Sequence, residues 1–160
     1  VEAVAVVPLA RALEVTRGSF YWHFASRDEL LEAVLARWED EHSAQTLLAA
    51  AQIADPRERL REILGRAVLK PPTYFARLLD AADREPLVAA TLERSAMARL
   101  ATLAKAYREC GQSAADARRS ALLAYAAYVG LARMPLTGPG SLSGRERRAL
   151  AAHVIATFVP

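Results

Sequence analysis

Between residues 15 and 24 the sequence reads VTRGSFYWHF, which places four aromatic side chains beside an arginine and a histidine. These aromatics cannot all face one core in a helix, because helical side chains repeat only every 3.6 residues. No acidic residue occurs between Val15 and Arg27, so the positive charge of this stretch is local. Local positive charge permits contact with an anionic partner such as nucleic acid, and the alternative is that the aromatic cluster is simply core.

Two short helices position these side chains. VPLARAL predicts the first, and Thr16 can cap a second that runs to about Trp22, with a break near residues 14–15. This is helix-turn-helix geometry, in which the second helix enters the major groove of DNA. Phe20 and Phe24, four residues apart, are expected to face a small core with Leu9, Leu13 and Val15. The spacing leaves four side chains to meet DNA: Arg17, Ser19, Tyr21 and His23.

The rest of the sequence favours no catalytic or metal chemistry. No His, Cys or carboxylate set has metal-ligand spacing with a third partner, and neither a Gly-x-Ser-x-Gly motif nor a phosphate-binding glycine loop occurs. Cys110 lacks an identifiable base, and His153 is interpreted as a core or interface residue. We therefore expect a protein without catalytic residues, metal or cofactor, and not an enzyme.

Composition and periodicity predict an all-α globular protein. Of 160 residues, 53% are hydrophobic and 24% charged, with a net charge of +3. The single cysteine suits a reducing cytoplasm, and no segment has the length or pattern of a membrane span or a signal peptide. Helix signals dominate, and no stretch alternates at period two.

Capping signals divide the chain into helices. Ser26 with Glu29, and Asp55–Pro56 with Glu58, form two capping-box patterns. The first would open a long helix with one face at steps of three or four: Leu31, Val34, Leu35, Trp38, His42, Gln45 and Leu48. Further helices are predicted after Pro72, from Pro86 to a stop at Gly111, after Ser113 and after the linker LTGPGSLSG.

The segment LARALEVTRGSFYWHFASRDELLEAVL closely resembles the DNA-binding motif of the tetracycline-repressor (TetR) family of transcriptional regulators, over about residues 5 to 35. The resemblance implies that Thr16 caps the recognition helix and touches a phosphate, and that Arg17 and Ser19 contact base edges or the groove. It implies phosphate contacts for Tyr21, His23 and Arg27. Gly18 would keep the helix surface low where it approaches DNA.

Three departures from the family pattern stand out. Glu14 occupies a turn position that usually holds glycine and favours positive φ, and Ala5 stands where a Ser or Thr cap is usual. The family also has a helix before this motif, and this chain begins at the end of that helix, so we expect the sequence to be incomplete at its N-terminus. The expected organisation is a helix-turn-helix DNA-binding domain over 1–37 and a helical ligand-binding and dimerisation domain over 38–160.

Two segments predict a homodimer. Residues 120–132 are apolar all round and 149–159 nearly so, so one face of each can pack internally while the other needs cover. We expect a two-fold four-helix bundle built from residues 114–134 and 145–159 of each chain, which agrees with the family.

The second predicted site is a mostly apolar pocket for a small effector. The pocket would be lined by Trp38, His42, Tyr74, Phe75, Leu78, Met97, Leu100, Tyr107, Tyr125 and Tyr128. A filled core is the simpler interpretation of the same residues. The functional hypothesis is a repressor that a small molecule releases from double-stranded operator DNA. The alternative is an all-α binding or enzymatic protein that has lost DNA binding, which Glu14 and the absent first helix would suggest.

Overall fold

The computed structural model describes residues 10–12, 14–41, 45–69, 74–134 and 142–160. Across these ranges the chain forms helices and no strand, which confirms the all-α prediction. The helices are α1 (Arg17–His23), α2 (Arg27–Glu39), α3 (Gln45–Ala51), α4 (Pro56–Leu69), α5 (Phe75–Ala81), α6 (Pro86–Glu109), α7 (Ala114–Arg133) and α8 (Gly144–Phe158).

The helix starts follow their capping residues. Ser26 accepts a hydrogen bond from the Glu29 N–H (3.1 Å), but the Glu29 carboxylate reaches back to the N–H of Ala25 rather than that of Ser26. Asp55 accepts from the Arg57 N–H (2.9 Å), while Glu58 pairs with Arg61 instead of completing the second predicted capping box. A complete box forms at the start of α8, between Ser143 and Glu146. These local bonds satisfy backbone N–H groups that have no partner inside the helix.

The long helix predicted from Ser26 is seen as two helices, α2 and α3, and residues 42–44 lie outside the described ranges. Its buried face is also narrower than predicted. Leu31, Leu35 and Trp38 are buried, whereas Val34 and Leu48 are exposed. The buried positions follow an i, i+4, i+7 pattern, and this narrow face packs against α6 and contributes to a core shared with Phe75 and Tyr128.

Two cores form along α6, which packs against α2, α4, α5 and α7. The stacked-ring core lies between α2, α5, α6 and α7 and consists of Leu31, Leu35, Trp38, Phe75, Val88, Leu92, Tyr128 and Ala132. The alanine-rich core lies between α4, α6 and α7 and consists of Leu60, Leu64, Leu103, Ala106, Tyr107, Ala117, Ala121 and Ala124. Helix α8 packs against α4 and so covers the alanine-rich core. At this contact the buried Gly65 of α4 leaves room for the Ile155 side chain of α8.

Glu14 ends the helical turn at 10–12 with φ of 55°, the positive value expected at this position. Its N–H bonds to the Arg11 carbonyl (3.2 Å), and the Val15 N–H bonds to the Ala10 carbonyl (2.9 Å). This is a Schellman motif, whose residue with positive φ is usually glycine. The turn therefore forms with glutamate in the place where glycine is favoured.

Candidate nucleic-acid interface

Helix α1 presents the predicted DNA-contacting side chains. Thr16 caps it by accepting a hydrogen bond from the Ser19 N–H (3.1 Å), as expected. Thr16, Gly18, Ser19, Tyr21 and His23 are all exposed. Arg17 begins the helix, and its side chain lies outside the described part of the structure. The helix thus offers hydroxyls, a phenol and an imidazole to one partner.

A small aromatic core holds α1 in place. Phe20 is buried and Phe24 half-buried, with their ring centroids 5.8 Å apart, and Ala10 is buried nearby in sequence. Val15, expected in this core, is instead exposed, because it follows the tight turn at Glu14. Leu9 and Leu13 lie outside the described residues. The division of the aromatics into packing and presenting residues therefore holds for both phenylalanines.

Trp22 is a candidate contact residue that sequence reasoning left without a role. It is 82% exposed on α1, and its ring meets that of His23 edge to face at 4.7 Å. Its exposure could have been predicted from the sequence. Trp22 is two residues from Phe20, and residues two apart in a helix lie on different faces, so Trp22 cannot share the buried face of Phe20. An indole of this size in water offers a large apolar face to the partner of α1.

Among the described residues, nothing close to Gly18 requires a glycine at this position. A Cβ placed on it would meet only the Thr16 hydroxyl, at 3.7 Å, an ordinary contact distance. Glycine also weakens a helix relative to alanine. The role predicted for Gly18, a low helix surface where DNA approaches, stays a prediction.

Arg27, a predicted phosphate contact, has a side chain that is already bound to acidic residues. Its guanidinium contacts Asp28 (3.1 Å) and both carboxylate oxygens of Glu85, one of them at 3.3 Å. These bonds, chiefly the one to Glu85, raise the pKa of Arg27. Glu85 belongs to no predicted site. It is 58 residues from Arg27, and no pattern in the sequence connects the two.

Five of the ten predicted effector-binding residues come together at the stacked-ring core. Trp38 stacks on Phe75 (6.0 Å between centroids), and Phe75 stacks on Tyr128 (5.0 Å). Leu78 and Tyr125 pack against the same core. Arg99, which the sequence analysis did not select, places its guanidinium 4.9 Å from the centre of the Tyr128 ring. The cluster thus joins stacked rings to one cation.

The other predicted effector residues lie elsewhere. Leu100 and Tyr107 belong to the alanine-rich core. Helix α6 is 24 residues long, and its later turns pack in a different core from its first turns. Tyr74 and Met97 are exposed, and His42 lies outside the described residues. Tyr107 is fully buried, its hydroxyl has no hydrogen-bond partner among the described residues, and burial raises its pKa to about 12. The predicted pocket therefore divides into two separate groups of residues.

Within the described ranges, each helix is too short or too polar to pass through a membrane.

Comparisons with known proteins bear on the N-terminal segment. No curated protein and no solved structure gives a significant match to the chain. Residues 1–34, which include the turn at Glu14, all of α1 and the start of α2, match the sequence profile of the family described as "Bacterial regulatory proteins, tetR family". Over this segment the chain is similar to bacterial regulatory proteins of the tetR family, and the match supports a DNA-binding transcriptional regulator.

Proposed function

We propose that the chain is a cytoplasmic repressor that a small molecule releases from its operator. The observation that carries DNA recognition is α1 itself: a capped helix on a buried phenylalanine, with its polar and aromatic side chains in water. In this proposal Arg17 and Ser19 contact base edges, Thr16, Tyr21, His23 and Arg27 contact phosphates, and Gly18 allows close approach. The DNA-binding part spans residues 1–37, and α2 continues from it into the part that binds the effector, residues 38–160.

A homodimer through residues 114–134 and 145–159 is part of the proposal. Leu122 and Leu123 are exposed on α7, Leu123 by 63%, and a Cβ on Gly130 of the same helix would meet nothing within 4 Å. Helix α8 exposes Ala149, Ala152 and Ala156. Leucines in water beside small residues favour close packing against a second helix pair.

The effector proposed for this chain is a small, largely apolar or aromatic molecule. The stacked-ring core supports this, because it joins α2, which begins beside α1, to α5, α6 and α7. A ligand inserted among Trp38, Phe75 and Tyr128 would displace α2 and change the spacing of the two recognition helices in a dimer. Tenfold weaker DNA binding requires that the ligand prefer the displaced state by about 1.4 kcal/mol.

The DNA part is tested by replacing single side chains of α1. Tyr21→Ala and His23→Ala should weaken binding to all duplexes alike, whereas Arg17→Ala should change sequence preference. Fluorescence anisotropy with fragments from upstream of the gene and with mixed-sequence duplexes, at several salt concentrations, measures both effects. A full chain that binds no fragment at any salt concentration contradicts the proposal.

Two variants that enlarge a core side chain test the effector site. Leu78→Trp adds volume beside the stacked-ring core, and Leu100→Trp adds volume beside the alanine-rich core. With a library of small aromatic compounds, release of bound duplex should be lost in Leu78→Trp and retained in Leu100→Trp. The reverse result places the effector beside Tyr107, and an unchanged response in both variants removes both cores from the proposal.

A further inference from the structure

The ion pair between Arg27 and Glu85 joins the start of α2 to the residue that precedes α6. Arg27 follows α1 by four residues, at the end of the segment proposed to contact DNA. Its guanidinium binds Glu85 with two nitrogens on two oxygens, a paired geometry that a single point charge cannot make. Both side chains are partly buried, with 34% and 22% of their surface exposed. The interaction is therefore better ordered than a surface ion pair.

The position of Glu85 is defined by its backbone. It is the N-cap residue of α6, with φ of −127° and ψ of 98°, the extended conformation that a following proline favours. Short side chains such as Asp and Ser are the favoured N-cap residues, and the longer Glu85 side chain makes no capping bond. Its carboxylate is directed across to Arg27.

Guanidinium groups bind carboxylates and phosphates with the same paired geometry. If Arg27 contacts a phosphate, as the resemblance implies, the phosphate needs the nitrogens that Glu85 now occupies. We propose that the Glu85 carboxylate competes with the DNA backbone for the Arg27 guanidinium, and that DNA affinity is thereby set from the C-terminal part of the chain.

The same pair connects DNA contact to the stacked-ring core. Residues 82–84 form a turn between α5 and Glu85, and the Glu85 N–H bonds to the Ala81 carbonyl (3.0 Å) at the end of α5. Helix α5 begins at Phe75, the central ring of the stack. A change in the stack therefore moves the anchor of Glu85, and with it the competition for Arg27.

The test compares Glu85→Gln with Glu39→Gln in the full chain. Glu39 also pairs from α2 to α6, with Arg94 at 3.0 Å, but at the other end of α2. Each variant removes one negative charge and one ion pair between the same two helices, so they differ in the partner arginine. The probe is a labelled 30-base-pair duplex of mixed sequence, because phosphate contacts carry no sequence information.

Glu85→Gln should bind this duplex about threefold to tenfold more tightly, with a salt dependence steeper by about one phosphate contact, while Glu39→Gln binds as the original chain does. In the Arg27→Gln background, Glu85→Gln should have no further effect, since the gain depends on Arg27. This second comparison separates competition from a general loss of negative charge. Thermal unfolding of all four variants establishes that they fold.

Three outcomes overturn the inference. Weaker duplex binding by Glu85→Gln would make Glu85 a brace that holds Arg27 for DNA. An equal gain with or without Arg27 would assign the effect to net charge, and equal binding by Glu85→Gln and the original chain would remove the competition. The inference rests on DNA binding by Arg27, so an original chain that binds no duplex at low salt contradicts the proposed function as well. The first three results contradict the competition alone.

Discussion

At the scale of single residues, two helix ends in this chain use the same turn with different side chains. Gly111 follows α6 with φ of 96°, and its N–H bonds to the Arg108 carbonyl while the Gln112 N–H bonds to that of Tyr107. Glu14 occupies the equivalent position before α1 with φ of 55°. A side chain with a Cβ is disfavoured in this region by about 1 kcal/mol, whereas glycine is not.

Replacing Glu14 with glycine should therefore stabilise the N-terminal part of the chain. We expect Glu14→Gly to raise the free energy of unfolding by about 1 kcal/mol. Glu14→Ala, which keeps the Cβ, should stay within about 0.5 kcal/mol of the original chain. Urea unfolding followed by circular dichroism measures both, and an equal gain in the two variants would point to the charge of Glu14 rather than its backbone.

The buried hydroxyl of Tyr107 is a second site where one atom matters. The part of the chain that the structure describes gives it no hydrogen-bond partner, and a buried hydroxyl without one is destabilising. Tyr107→Phe should therefore raise the free energy of unfolding by about 1 kcal/mol. Tyr21→Phe, at an exposed tyrosine of α1, should change it little. A loss of stability in Tyr107→Phe would show that the hydroxyl makes a hydrogen bond in solution.

At the scale of elements, the arginine that holds three segments together is Arg59 of α4. Its side chain is 13% exposed and donates to the Ile53 carbonyl from two nitrogens, at 3.0 and 2.8 Å. It also pairs with Glu109 at the end of α6. Arg59 therefore connects the segment before α4 to the end of α6, where its partner Glu109 is 50 residues away in the sequence.

Lysine cannot reproduce this arrangement, because its single ammonium lacks the planar fork of donors. Arg59→Lys should lower the free energy of unfolding by about 1–3 kcal/mol, since the Ile53 carbonyl and Glu109 lose partners. Arg61→Lys is the matched control two residues along α4, where the arginine pairs with Glu58 within one exposed turn, and should cost less than about 1 kcal/mol. Similar losses in the two variants would remove the special role of Arg59.

At the scale of the whole molecule, the proposed dimer determines whether α1 can act in pairs. Recognition helices of a two-fold dimer meet successive major-groove faces about 34–36 Å apart. The apolar faces of α7 and α8 are the surfaces proposed to meet, and Leu122 is exposed on one of them.

Leu122→Glu should place a charge in this interface and yield monomers with strongly reduced operator affinity. Leu48→Glu is the control, since Leu48 is also exposed but lies on α3, outside both segments. Sedimentation velocity gives the oligomeric state, and anisotropy gives DNA binding. A Leu122→Glu chain that stays dimeric, or a monomer that binds as tightly as the original chain, contradicts the proposed interface.

The sequence alone determined what depends on neighbours along the chain. Thr16 caps α1 by accepting a hydrogen bond from Ser19, three residues later, and the Phe20 ring contacts the Phe24 ring one helical turn later. The positive φ of Glu14 belongs to a turn of six residues. The cap and the phenylalanine pair need no other element, so residue type and spacing were enough to predict them, whereas the positive φ at Glu14 was expected from the resemblance to the family. The same locality explains why the motif over residues 1–34 could be recognised in the sequence.

Only the tertiary structure decided which distant residues meet. Trp38, Phe75 and Tyr128 stack from three helices, whereas Leu100 and Tyr107, predicted for the same pocket, pack in a different core. Helical periodicity shows that a face is apolar, but not which helix covers it. Arg27 and Glu85 are 58 residues apart in the sequence, and the packing of α2 against α6 brings them together. No local sequence pattern encodes that packing.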